Sequence, residues 1–102
     1  MSRRRFKISK QAEKDLEDIW FYLAERSPDE ADKLLDEIQA RFLRLLQFPE
    51  IGVAREDLAP KLRSLLLKDY LIFYRLSGRS IEIIRILHGS RDVENIFRRE
   101  RS

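Results

Sequence analysis

A chain of 102 residues with 43% hydrophobic and 38% charged residues has the size and composition of one folded domain, residues 1–102, around a single modest core. With no cysteine and one histidine, it excludes a disulfide framework, a thiolate metal site and a thiol nucleophile, so no metal or cofactor is expected. The net charge of +3 is segmented: residues 1–10 carry five basic and no acidic side chains, residues 11–60 carry 6 against 13, and residues 61–102 carry 10 against 5. Basic ends around an acidic middle suit a partner that is itself acidic, whether nucleic acid, a protein surface or a peptide.

Arg4 to Ile8 alternates polar and apolar residues, the period of a short half-buried strand. Ser9 is placed to cap a helix running to about Arg26, with Ala12, Leu16, Ile19 and Leu23 on its apolar face and Trp20-Phe21-Tyr22 widening that face. Helical spacing already explains the aromatic run, so it reads as core. Ser27-Pro28-Asp29-Glu30 predicts a second helix start, with Ser27 as cap, Pro28 at the first position and Glu30 closing a capping box. Ala31, Leu34, Leu35, Ile38, Phe42, Leu45 and Leu46 continue that helix until Phe48-Pro49 ends it. The two helices form an antiparallel hairpin with almost no loop.

Residues 49–60 read as an irregular connection. Three strands follow, at 61–68, 70–76 and 80–88, with links short enough for an antiparallel meander. Tyr70, Ile72, Tyr74 and Leu76 share one face of the middle strand, and Leu71, Phe73 and Arg75 the other. The helix hairpin takes one face; the other awaits the C-terminal tail, a partner or a second copy. Asp92 is placed to cap a last short helical segment, Val93 to Arg101, anchored by Ile96 and Phe97. The predicted fold class is α+β, strand-helix-helix-strand-strand-strand, with the hairpin packed on a mainly antiparallel sheet.

There is no Gly-rich phosphate loop and no pair of histidines at metal spacing. His88 ends the last strand beside Arg85, Arg91 and Asp92, where an imidazole can serve as acid or base in RNA cleavage or simply bond to nearby backbone. Arg63, Arg75, Arg85 and Arg91 lie on or beside the sheet and, with His88, are candidates for binding a target or an anion; surface ion pairs are the competing explanation for the arginines. No apolar run approaches the roughly 20 residues that span a bilayer. The basic start leads into Phe6-Lys7-Ile8 rather than a signal segment, so the expected location is the cytoplasm, away from any membrane.

Five segments occur together: Ile8 to Tyr22, Phe48-Pro49-Glu50-Ile51-Gly52, Leu62-Arg63, Tyr70-Leu71-Ile72-Phe73-Tyr74-Arg75, and Ile83 to Asp92. In this order and spacing the chain resembles ParE toxins, within the ParE/RelE superfamily of type II toxin–antitoxin systems. The resemblance implies a RelE/ParE-like fold and a toxin neutralised by a cognate, ParD-like antitoxin that wraps the sheet and hairpin. It implies DNA gyrase as the target, inhibited by protein contact, and no catalytic residue. RelE-like relatives instead cut mRNA on the ribosome, using an Arg just after the Tyr of the middle strand and a Tyr in the C-terminal segment. Here those positions hold Leu71, which cannot stabilise phosphate charge, and Phe97, which lacks a hydroxyl. An endoribonuclease using His88 and Arg91, and a non-toxic co-repressor, stay as alternatives. Leu71, Phe73 and Trp20 are the candidate antitoxin contacts. Assembly as a toxin dimer or a heterotetramer with the antitoxin is a further expectation.

Overall fold

The computed structural model describes residues 5–101; Arg4, included in the expected first strand, lies outside them. In chain order the elements are β1 (Arg5–Ile8), α1 (Lys10–Ala24), α2 (Pro28–Gln47), β2 (Val53–Ala54), β3 (Arg63–Leu67), β4 (Tyr70–Ser77), β5 (Ser80–His88) and α3 (Val93–Arg101). The sheet order is β1-β5-β4-β3-β2. β3, β4 and β5 form the expected antiparallel meander, while β1 joins β5 in parallel, so the sheet is mixed. The two-residue β2 lies within the segment read as irregular and pairs with Arg63 and Ser64 of β3. Two residues carry too little alternation for a strand to be read from them.

Ser9 ends β1 and starts α1. Its hydroxyl accepts the Ala12 N–H at 3.0 Å and donates to the Ile84 carbonyl at 2.8 Å, so one side chain caps the helix and ties it to the last strand. Ser27 caps α2 by accepting the Glu30 N–H. The capping box is only half formed, because the Ser27 N–H that Glu30 would accept from donates to the Leu23 carbonyl at 2.8 Å. With the loop this short, the end of α1 takes the donor first.

Two apolar clusters sandwich the sheet. On one face the hairpin supplies Ala12, Leu34, Ile38, Phe42 and Leu45, packed on Ile72, Tyr74, Ile81, Ile83 and Ile86. On the other, Phe97 of α3 joins Phe73, Leu87, Leu58 and Leu62. The opposite faces expected for β4 are those observed, and the second is covered by this chain's own C-terminal helix together with residues of the β2–β3 connection. Asp92 caps α3 by accepting the Asn95 N–H. Phe97 meets Phe73 edge-on with ring centroids 4.9 Å apart.

The β2 approach depends on Tyr74, which is fully buried. Its hydroxyl donates to the Pro49 carbonyl at 2.8 Å and accepts the Gly52 N–H at 2.9 Å. A Cβ at Gly52 would lie 2.6 Å from that hydroxyl and 2.8 Å from the Ser64 carbonyl, so only glycine fits there. Burial pushes the Tyr74 phenol above the usual tyrosine range, so the neutral form belongs to the fold. Its contribution is complete below the unfolded tyrosine value and declines as pH rises through the folded one. Tyr74→Phe leaves the Gly52 N–H without its acceptor and should lower unfolding stability by about 1–3 kcal/mol. Urea denaturation at neutral pH measures this; an unchanged midpoint would show that the knot carries no stability.

Candidate functional site

The structure shows what the charge of the sheet arginines does. Arg85 sits where the β4–β5 register slips: Phe73 faces Arg85 while Tyr74 faces Ile83, leaving Ile84 as a bulged residue. The bulge lies at the edge of β5 that β1 no longer covers, because β1 ends at Ile8 opposite Ile83. Asp15 of α1 fills the gap. Its carboxylate accepts the Ile86 N–H at 2.9 Å and two guanidinium N–H groups of Arg85 at 2.8 and 3.0 Å. Both side chains are about nine-tenths buried, at 12% and 10% exposure. The Arg85 guanidinium also donates to Glu100 of α3, and these carboxylates hold its proton even more firmly than usual, Asp15 most of all.

Arg63 donates to the Gly52 carbonyl at 2.8 Å and to the Glu50 carbonyl at 3.2 Å, holding the β2 approach beside Tyr74. Arg75 pairs with Glu82 on the neighbouring strand at 3.0 Å. Three of the four sheet arginines therefore have internal partners, and among them only the half-exposed Arg75 reaches well into solvent.

His88 and Arg91 come together at an open cleft of about 840 Å³ between the hairpin mouth and the β3–β4 turn. His88 Nδ1 accepts the Ser90 N–H at 3.1 Å and lies 2.7 Å from the Ser90 hydroxyl, which leaves the proton of the neutral ring on Nε2. The ring stands edge-on to Tyr70 at 5.3 Å. This is the backbone-bonded histidine that the sequence allowed. Opposite, Arg26 lies 4.9 Å over the Tyr22 ring. Burial raises the Tyr70 phenol above its usual range, with Tyr22 and Asp69 adding to the shift. Acidic residues line the same cleft, Asp18, Glu30 and Asp69 among them, so it is not a simple anion pocket. No group of three carboxylate or histidine side chains placed to hold a metal occurs among the described residues.

The candidate antitoxin contacts divide. Phe73 is completely buried beneath α3, so the expectation that it lies on an open face is corrected: Phe97 occupies that position. Leu71 stays partly exposed and pairs across the sheet with Leu66, which is 62% exposed. Trp20 is half-buried and donates its indole N–H to Asp32 of α2, stapling the hairpin. Phe21 and Tyr22, read as core, are 63% and 54% exposed: Phe21 sits on the side of α1 away from Ala12, and Tyr22, on the Asp15 face two turns further along, borders the open cleft. The residue sequence reasoning passed over is Asp15. A carboxylate between Ala12 and Leu16, on the turn that must face the core, was the available signal.

The family model for the ParE toxin of the type II toxin–antitoxin system parDE matches residues 6–93. The chain belongs to the ParE toxin family. Toxin ParE1 of Mycobacterium tuberculosis is 34% identical over 92 residues, covering 88% of this chain and 94% of that protein. Toxin ParE3 of Caulobacter vibrioides is 42% identical over 59 residues, covering 58% and 59%. Among solved structures, the chromosomal ParDE toxin–antitoxin system from P. aeruginosa superposes with a TM-score of 0.70 at 27% identity, covering 83% of this chain and 95% of that one. The toxin–antitoxin complex RelBE2 from M. tuberculosis shares the fold at a TM-score of 0.59 and 18% identity, over 85% and 99%. Membership in the ParE family is thus established over nearly the whole chain, and the RelE-type relationship at the level of fold.

Removing the Asp15 carboxylate leaves a buried guanidinium and a strand N–H without their main acceptor. Asp15→Ala should cost about 3–5 kcal/mol of stability, whereas Arg75→Ala at the exposed pair should cost below about 1 kcal/mol. Equal effects in thermal unfolding would contradict this ranking.

Proposed function

We propose that this ParE-type toxin arrests growth by binding DNA gyrase in the cytoplasm, without catalysing a reaction, and that a ParD-like antitoxin neutralises it. The observation that carries the reading is the internal engagement of the sheet arginines. Arg85 is held at Nε, Nη1 and Nη2 by carboxylates of its own chain, so a phosphate would have to displace them to be bound there, and Arg63 spends its Nη1 on two backbone carbonyls of the β2 approach. By the resemblance, Leu71 and the buried Phe97 stand where RelE-type nucleases carry arginine and tyrosine, and neither side chain offers a donor. A surface built this way is suited to protein contact. Antitoxin binding is supported by the similarity to the ParDE system and by the apolar cross-strand pair Leu66 and Leu71, which keeps exposed surface. No helix among the described residues is long and apolar enough to cross a membrane.

A second reading keeps its own observation. His88 and Arg91 border one cleft, and a ribosome-dependent endoribonuclease would use them as acid–base and phosphate-binding groups. The readings separate in one comparison. Purified wild-type protein and His88→Ala should both inhibit gyrase supercoiling and leave ribosome-bound mRNA intact. Absence of any effect on gyrase, with mRNA cleavage that disappears in a folded His88→Ala variant, would replace the first reading by the second.

A further inference from the structure

We propose that Ser90 is a nucleophile that accepts a phosphoryl group from a nucleoside triphosphate seated in the cleft at the hairpin mouth. The step modifies the toxin itself and leaves its arrest of growth a matter of binding. Ser90 follows β5 in a turn fixed by backbone bonds: the Gly89 N–H donates to the Asp69 carbonyl at 2.7 Å and the Arg91 N–H to the His88 carbonyl at 3.0 Å. Within that turn the Ser90 hydroxyl lies 2.7 Å from His88 Nδ1, the nitrogen that also accepts the Ser90 N–H. A ring nitrogen that accepts the backbone N–H turns its lone pair toward the serine, so the hydroxyl is the donor of the short bond. Tyr70 braces the imidazole edge-on. A serine hydroxyl is a weak nucleophile until a base within hydrogen-bond reach takes its proton, and here that base is itself oriented by a neighbouring group.

The surroundings say what electrophile fits. Arg91, beyond the end of β5, and Lys33, on α2, border the cleft and form no ion pair among the described residues, which leaves two cations for phosphate oxygens. Tyr22 on the hairpin and Tyr70 on β4 offer aromatic surface to a base. Glu30 borders the same cleft, and its carboxylate can accept from ribose hydroxyls. A bare anion has no use for that carboxylate; a nucleotide has. The volume of about 840 Å³ falls among those of small-ligand sites, roughly 300–1,000 Å³. In the step, Ser90 Oγ attacks the γ-phosphorus, an Oγ–P bond forms, and the bond from that phosphorus to the bridging oxygen of the β-phosphate breaks. The serine proton passes to His88 Nδ1, and the nucleoside diphosphate leaves with the electron pair of the broken bond. His88 then gives the proton to water. The phosphoserine carries a charge of about −2 at neutral pH, which reverses the local charge beside Arg91.

The test incubates the purified full chain with magnesium and either ATP or GTP radiolabelled at the γ-phosphate, and maps the label by peptide mass spectrometry. Ser90 should be the labelled residue. His88→Ala should slow labelling by about 100-fold or more. Arg91→Ala should raise the nucleotide concentration for half-maximal rate by about tenfold. Ser90, His88 and Arg91 are all exposed, so these variants should keep the fold, which circular dichroism checks. A fluorophosphonate, which esterifies activated serines without any nucleotide, should react with Ser90 in the wild type and not in His88→Ala. No label on Ser90 from either γ-labelled nucleotide would overturn the proposal, even with gyrase inhibition intact. Label arriving only from α-labelled nucleotide would overturn phosphoryl transfer, and equal labelling of folded His88→Ala would overturn the role of the imidazole.

Discussion

The Asp15 carboxylate is where the architecture closes. β5 is nine residues long and β1 only four, so the end of β5 has an edge without a strand beside it. An unpaired N–H at that edge, buried under α1, would cost free energy comparable to a lost hydrogen bond. Asp15 accepts it and also holds Arg85, whose far side reaches Glu100. Ser9 satisfies the neighbouring Ile84 carbonyl. Helix α1, the end of β5 and helix α3 are thereby fixed to one another by the Ser9, Asp15 and Glu100 side chains and one guanidinium. The bulge at Ile84 belongs to the same arrangement. It resets the alternation so that Ile83 and Ile86 both enter the hairpin-side core, while Ile84 and Leu87 serve the α3 side.

Much of this was legible in the sequence because it follows from local rules. Ser9 and Ser27 announce helix starts through a hydroxyl at the right position, and the meander follows from short links between β-rich runs. The two faces of β4 follow from period-two alternation. What escaped reading depends on distant partners. Nothing local in Val53-Ala54 marks a strand; it pairs because Tyr74, 22 residues from Gly52, pulls the chain against β3. Nothing local in Arg63, Arg75 or Arg85 distinguishes a ligand-binding arginine from one held at home. Their partners lie up to 70 residues away, and only the fold brings them together.

That distinction shapes the functional account. Counting arginines near the sheet suggests a phosphate-binding surface, but following each guanidinium to its acceptors removes Arg85 from that surface and turns one end of Arg63 to the β2 approach. The aromatic run of α1 moves in the opposite direction: Trp20 staples the hairpin, while Phe21 and Tyr22 face solvent. The exposed chemistry of this ParE-family toxin is therefore aromatic and aliphatic side chains on α1 and on the Leu66/Leu71 patch, with cationic groups at the β1 edge and the His88/Arg91 cleft. Such side chains favour the proposed protein contact.

The most direct test of that account is a transcriptome-wide map of mRNA 5′ ends after inducing the toxin alone in growing cells. A toxin that acts by binding should stop growth without new 5′ ends accumulating inside translated codons. Codon-phased cuts that appear with induction, and vanish when His88 is replaced by alanine in a folded protein, would contradict it.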